Sequence, residues 1–340
     1  VTKRVGLVAF LVVSTVCAAL VSLLIGAREM GFEATVRAVR DGIMLVFSDT
    51  AEQSEASSDE AKIIAQLRVP RTLLGLLVGA ALGTAGAMLQ GHTRNPLADT
   101  NLLGVGPGAA LAVAAAISFH GSMTVLGTVG VGFLGAILAV ALVFLLSMRS
   151  LGSAPITVVL GGSALGAVCS ALTSGIVLTH TQSLNEMRFW TAGAIAGRDM
   201  QVVAVLAPVI VLGLVGAFAS ANQLNLLNLG DDVANALGVR VSIARTLGIV
   251  LVALLTGAAV AGAGPIGFVG LVVPHLVRTF TGPDYRWVLP CSALAGATLL
   301  LLADVIGRAI VRPGELQVGI TLAFVGAPFA LHILRKGTKL

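Results

Sequence analysis

Few residues in this chain are of types that do chemistry, and their spacing argues mostly against it. Five histidines are scattered along the chain, and none completes an H-E-x-x-H or other metal-ligand cluster. Cys17, Cys169 and Cys291 stand singly in apolar runs, without metal spacing or a disulfide framework, and read as buried small hydrophobes. Gly161-Gly162-Ser163-Ala164 has the G-x-S-x outline of an intramembrane serine nucleophile, for which His180 or His275 would have to act as base. Small-residue packing of a membrane helix accounts for the same pattern. Gly262-Ala263-Gly264-Pro265-Ile266-Gly267 matches G-x-G-x-x-G, with Asp284 downstream. A dinucleotide site needs that turn inside a βαβ unit. Here both flanks are membrane-length apolar segments and Pro265 breaks the helix, so a tight junction between two spans is expected. The sequence contains no G-x-x-x-x-G-K-[ST], so any ATP hydrolysis by that route must come from another chain. No catalytic residue, metal site or cofactor on this chain is expected.

Two charged or titratable positions inside apolar runs remain. Asp304 lies in Leu302-Ala303-Asp304-Val305-Ile306-Gly307-Arg308. An intramembrane acid is expensive and is usually paired or functional. Arg308, one helical turn on, offers a local pair; a proton-coupling role for Asp304 would instead indicate an ion-coupled secondary transporter. His275 follows Pro274, which frees a backbone carbonyl in a membrane helix. Its readings are a hydrogen-bonded side chain near the end of a kinked helix, or a direct part in moving substrate.

The elements that hold these residues are membrane spans. The 340-residue chain is 56% hydrophobic and only 11% charged, with a mean hydropathy of +0.98, whereas soluble domains carry about 25% charged residues. The apolar runs are continuous rather than alternating, which excludes a β-barrel. Forty-one glycines and only 4% aromatics suit closely packed helices. The net charge of +5 belongs to basic residues at span ends, so nucleic acid is not an expected partner. Ten candidate spans lie near 5–27, 70–90, 102–119, 124–147, 155–179, 201–219, 243–262, 266–280, 288–309 and 316–334, the eighth being short. The first exceeds a signal-peptide core in length and reads as a retained span. The expected fold is therefore an all-α polytopic membrane protein of about ten transmembrane helices, with residues 1–340 forming a single domain.

Ten spans put both termini on one side. Lysines and arginines divide almost evenly between the two sides, but the basic start at Lys3-Arg4 and the end at Arg335-Lys336 favour both termini inside. Arginines on the outer face then need an explanation. Two hydrophilic stretches stand out. Residues 28–67 form a long outer loop whose first part is amphipathic and whose 48–62 portion is acidic and serine-rich. Within 220–242, Leu226 and Leu227 precede Leu229-Gly230. Asp231 or Asp232 can cap a short helix showing Val233, Ala236 and Leu237, and Gly238 can end it. Two short helical pieces with a hinge result, with apolar residues that suit a groove on a cytoplasmic partner. Arg71-Thr72-Leu73 and Arg245-Thr246-Leu247 open spans two and seven, an echo that fits an inverted repeat of spans 2–5 and 7–10.

From about residue 65 the chain carries an ordered set of motifs. These are Arg68-Val-Pro-Arg71, Arg94-Asn95-Pro96-Leu97-Ala98, Leu103-Gly-Val-Gly-Pro-Gly108, Trp190-Thr-Ala-Gly193, Leu229-Gly230 through Gly238, Gly264-Pro-Ile-Gly-Phe-Val-Gly-Leu-Val-Val-Pro-His275, and Glu315-Leu-Gln-Val-Gly319 leading to Gly326-Ala-Pro328. In order and spacing this set resembles the FecCD-type permeases of bacterial ATP-driven importers for ferric siderophores, haem and vitamin B12. The resemblance implies a type II ABC importer permease. Its partners would be a second permease subunit, identical or homologous, two cytoplasmic ATPases that hold the ATP and Mg, and an extracytoplasmic binding protein. It would sit as a multi-pass protein in the bacterial inner membrane. Arg68, Arg71 and Arg308 fall on the positions that meet acidic residues of the binding protein. Asn95 and Leu97 fall on the cytoplasmic gate, and Leu226, Leu227, Gly230, Asp231, Ala236, Leu237 and Gly238 on the segment coupled to the ATPase. A second gate element would fall in Gly152-Ser-Ala-Pro155, without a residue-by-residue match. The cargo implied is a bulky metal chelate, ferric siderophore first, with haem and cobalamin as alternatives.

Overall fold

The computed structural model describes residues 2–26, 37–42, 59–148, 154–312 and 314–337. Among these the regular structure is helical. The helices are α1 (Thr2–Leu24), α2 (Val69–Thr93), α3 (Val105–His120), α4 (Val125–Met148), α5 (Ala154–Thr179), α6 (Thr181–Trp190), α7 (Met200–Ala219), α8 (Ala221–Leu227), α9 (Asp231–Ala236), α10 (Val241–Ala263), α11 (Val269–Thr281), α12 (Tyr285–Ile310) and α13 (Val318–Gly337). A short helix, Asp59–Ile63, and a π-helical turn, Ile64–Arg68, run straight into α2. Seven helices (α1, α2, α4, α5, α7, α10 and α12) are long and apolar enough to cross a membrane, and α3, α11 and α13 contribute shorter apolar stretches. Each of the ten expected spans therefore falls on a helix, seven of them of membrane-crossing length and three shorter, among them the eighth, α11. Most of the outer loop, 28–36 and 43–58, and half of the second gate element, Gly152 and Ser153, lie outside the described residues.

The bundle is built around α2, which packs against α12, α10 and α11. In its most apolar stretch 78% of α2 is buried, against 11% for α1, which lies on the flank of α12. Glycine makes the central packing possible. A Cβ on Gly79 would sit 2.5 Å from the Gly296 carbonyl oxygen, and one on Gly86 would sit 2.1 Å from that of Gly270. Backbones this close gain van der Waals contact that a larger residue would forfeit, and such contact is what drives helix association where no water is expelled.

The helices α2–α5 and α10–α13 share a length pattern in which the second member is short. The two short helices start side by side. α3 follows a 3-10 turn, Thr100–Leu103, capped by the Asp99 carboxylate. α11 follows the non-helical stretch 264–268, whose Pro265 lies against Gly106 at the start of α3. That stretch contains the last two G-x-G-x-x-G glycines, Gly264 and Gly267, and Gly262 lies in the final turn of α10. Gly264, at φ +72°, presses on the Trp190 carbonyl, so the motif is a tight helix junction, as its flanks imply. The Ala194 amide donates to the Ala263 carbonyl at 2.7 Å, and the Gly319 amide to that of Gly193 at 3.0 Å, which ties 191–197 to the same junction.

The other chemical motifs resolve into packing. Gly162 abuts the Leu102 carbonyl, and the Ser163 hydroxyl donates to the Val159 carbonyl one turn back at 2.9 Å. His180 Nδ1 lies 3.0 Å from the Thr179 hydroxyl. His275, expected to be hydrogen-bonded, instead meets Phe329 edge-on at 6.2 Å between ring centres, because α11 packs on α13. Cys169 and Cys291 are buried, but Cys17 is exposed, a correction that follows from the peripheral position of α1.

Candidate functional site

Functional candidates gather at the two ends of α2, about 37 Å apart at 1.5 Å per residue. At the N-terminal end, Arg71 donates through Nε and Nη2 to both oxygens of Asp304, at 2.8–3.2 Å. Its Nη1 reaches Glu315 at 2.7 Å. Arg308 pairs with Asp304 from the other side at 2.9 Å. Asp304 and Arg308 are each 1% exposed. The sequence offered a local Asp304–Arg308 pair; the fold adds Arg71 from a helix more than two hundred residues away, and the acid is clasped by two guanidinium groups. A buried carboxylate needs such partners to stay charged.

Arg68 and Arg308 also close the end of α1. A helix leaves its last carbonyls without partners and carries partial negative charge there, and α1 has no basic residue in its last turn. Arg68 donates to the Leu23 and Leu24 carbonyls at 2.8 and 3.0 Å. Arg308 donates to those of Ser22 and Ile25 at 3.1 and 2.6 Å and to the Ser22 hydroxyl at 3.0 Å. Gly26 leaves room for the Arg68 guanidinium, whose atoms would overlap any Cβ there. The sequence reading set Arg68, Arg71 and Arg308 on the surface. In this structure they turn inward, because the carbonyls of α1 and the carboxylate of Asp304 are nearer partners than solvent. Among the described residues, Glu315 and Arg312 at the rim are exposed, and Arg312 lies close enough to act on Arg68.

The C-terminal end of α2 holds the second constellation. α2 stops at Arg94, whose backbone is left-handed at φ +50°. Asn95, Pro96 and Leu97 follow as an exposed turn in which Asn95 Oδ1 accepts from the Leu97 amide at 2.9 Å. Beside it lie α8 and α9, the two short pieces expected from the sequence, with the hinge at 228–230. Val233, Ala236 and Leu237 are exposed, as is Leu229 at the hinge. Leu227 is not; it is 2% exposed and belongs to the core. Leu226 is half-buried, and Gly230 and Gly238 take the positive φ values, +116° and +85°, that the turns require. Capping differs from expectation. Gly230 occupies the N-cap position and no side chain caps the helix. Asp231 instead pairs with Arg94 and with Arg245, the latter at 2.9 Å, since two cations outcompete its own helix end.

Further bonds tie this end together. Asn225 Nδ2 donates to Asp284 at 2.8 Å, and Asn225 Oδ1 accepts from the Tyr285 amide at 2.9 Å. Arg278 donates to Gln90 Oε1 and, at 3.1 Å, to the Tyr285 hydroxyl. Bonds from Arg286 chiefly, and from Asn225, hold the Asp284 carboxyl down at about 2. Sequence reasoning missed this network. Its members lie far apart in the chain, and only the polar interruptions at Gln90, Asn225 and Asp284 hinted at it.

An open groove of about 610 Å³ is lined by Thr191, Ala192, Pro265, Gly319, Phe324 and neighbouring residues of α13. Its wall is small and apolar, with little that could ligate or react. Among the described residues no group of three His, Cys, Asp or Glu side chains could hold a metal.

An all-helical bundle with seven helices long and apolar enough to cross a membrane has the architecture of a multi-pass membrane protein. The chain belongs to the FecCD transport family, which matches residues 11–336. It is 40% identical over 336 residues to the ferric enterobactin transport system permease protein FepD of Escherichia coli (strain K12), covering 98% of this chain and 95% of that one. It is 39% identical over 273 residues to the cobalamin import system permease protein BtuC of Halobacterium salinarum, covering 80% and 73%. The fold matches a solved inward-facing conformation of a metal-chelate type ABC transporter with a TM-score of 0.82 at 31% identity, over 97% of this chain and 99% of that one.

Proposed function

We propose that this chain is the membrane permease of an ATP-driven importer that brings a bulky metal chelate, ferric siderophore in the first instance, into the bacterial cytoplasm by alternating access. The observation that carries the reading is the apolar tip of α8–α9. Leu229 and Leu237 are 61% and 57% exposed on a segment anchored to the end of a core helix, a surface with reason to exist only against a partner. That partner is a cytoplasmic ATPase, which holds ATP and Mg; this chain carries neither a cofactor nor the hydrolysis. The α9 end then faces the cytoplasm, as do both termini, in the bacterial inner membrane. Asn95 and Leu97 form the cytoplasmic gate beside it. Leu226, Leu227, Gly230, Asp231, Ala236, Leu237 and Gly238 form the coupling segment, with Ala236 and Leu237 touching the ATPase and Leu227 anchoring the segment in the core.

The opposite end receives an extracytoplasmic binding protein. Arg68, Arg71 and Arg308 hold the positions that meet acidic residues of that protein. Docking of this kind steers encounter and fixes register. Arg71 reaches it most directly, through exchange of its Glu315 partner at the rim, while Arg68 and Arg308 act from beneath. The groove is half of a path completed by a second permease subunit, identical or homologous, and its small apolar wall handles cargo by shape. The near-equal identities to enterobactin and cobalamin permeases leave haem and cobalamin as the alternative cargoes.

The test is the complete complex with Leu237→Asp or Ala236→Asp. Cargo-stimulated ATP hydrolysis should fall to the basal level or below, and full stimulation in both variants would overturn the reading. Comparing ferric siderophore, haem and cobalamin on the wild-type complex in nanodiscs, with the cognate binding protein, assigns the cargo.

A further inference from the structure

The gate turn and the coupling segment are joined by one side chain. Arg94 ends α2 and immediately precedes Asn95, but its guanidinium reaches across to the α8–α9 hinge. Nε and Nη2 donate to the Leu227 carbonyl at 3.1 and 2.6 Å, and Nη2 also donates to the Asp231 carboxylate. Leu227 is the last residue of α8 and Asp231 the first of α9, so a single planar fork holds both sides of the hinge. Arg245, at the start of α10, binds the same carboxylate. Asn228, inside the hinge, donates through Nδ2 to the Gly91 carbonyl of α2 at 3.4 Å. Arg94 adopts a left-handed backbone that L-residues other than Asn and Asp seldom take. Such outliers persist where the surroundings over-determine them and gather at switch regions.

We propose that Arg94 is the positioning residue that carries movement of the coupling segment to the cytoplasmic gate. The proposal rests on the importer reading above. When α9 moves with the ATPase, the Leu227 carbonyl and the Asp231 carboxylate move with it, and both are bonded to the residue from which the gate turn springs. Arginine suits the task where lysine does not, because its fork grips a carbonyl and a carboxylate together in fixed geometry. A simple helix-end staple would hold the fold equally well. It would not, however, set the number of cargo molecules moved per ATP.

The experiment reconstitutes the complete complex (permease, ATPases and binding protein) in proteoliposomes and measures ferric siderophore uptake and ATP hydrolysis together. In Arg94→Ala, stimulated hydrolysis should persist while uptake per ATP falls about tenfold or more, within the range of coupling free energies between sites. Arg94→Lys, which keeps the charge and the stem, should fall between. The proposal is overturned if uptake and hydrolysis fall in equal proportion in Arg94→Ala and Arg94→Lys, or if the ratio in both equals that of the wild type. Absence of ATP-driven uptake of ferric siderophore, haem and cobalamin alike in the wild-type complex would overturn the importer reading and this proposal together; wild-type uptake with an unchanged variant ratio overturns the proposal alone.

Discussion

Asp304 shows how context decides what a residue does. An acid inside a membrane helix suggests a proton site, but two guanidinium groups and its 1% exposure fix it as a charged anchor. Breaking a buried pair by removing one partner costs about 3–5 kcal/mol. Asp304→Asn should therefore lower the thermal unfolding midpoint in detergent micelles markedly and leave transport indifferent to a proton gradient. A gradient-dependent wild type that loses this dependence in the variant would show a proton site instead. Asp284 makes a second prediction. Its folded pKa is depressed to about 2, below the unfolded value of about 3.9. Its contribution to stability is thus complete above the unfolded value and is lost only as the pH falls toward 2. Asp284→Asn should shift the unfolding midpoint by the same amount at pH 5 and pH 8; a shift that vanishes by pH 5 would contradict this. Some of these roles were legible in the sequence. Arg308 one turn from Asp304 gave half of the anchor, and Leu237 and Val233 gave the exposed tip. Arg71 on Asp304, Arg94 on Asp231 and Arg278 on Gln90 were not legible, because no local pattern links charges so distant in the chain.

At the scale of elements, local sequence signals place the spans and tertiary contacts place their ends. Hydropathy locates all ten, including the short α11, because length and apolar content are local properties. The termination of α1 is different. Its last carbonyls are closed by Arg68, from the π-helical turn before α2, and Arg308 of α12, so its end is written in two other elements. The central contacts are likewise encoded as single glycines. Gly86→Val would drive a side chain into the Gly270 backbone of α11, and helix backbone cannot give way as a flexible side chain can. The folded yield of Gly86→Val in membranes should collapse, whereas Gly6→Val, at a glycine with nothing within 4 Å of its Cβ position, should express like the wild type. Equal yields would contradict the packing described for α2.

On the proposed function, motion belongs at one end of the molecule and recognition at the other. A core helix whose most apolar stretch is 78% buried is a rigid strut, with the arginine cluster at its start and the gate turn and coupling hinge at its finish. Rigid-body tilting of such helices, rather than any chemical step, is what can open the apolar groove to one side or the other. The ordered motifs from Arg68 to Pro328 made that architecture readable, since each marks a helix junction or end. The groove wall was not readable, because it forms only where 191–192, Pro265 and α13 meet. Energy coupling tests the central claim most directly. Proteoliposomes holding the complete complex are loaded with ATP or given a proton gradient alone, and uptake of ferric siderophore delivered by its binding protein is measured. Uptake should require ATP and the binding protein and be absent with the gradient alone; uptake driven by the gradient without ATP would contradict the importer mechanism.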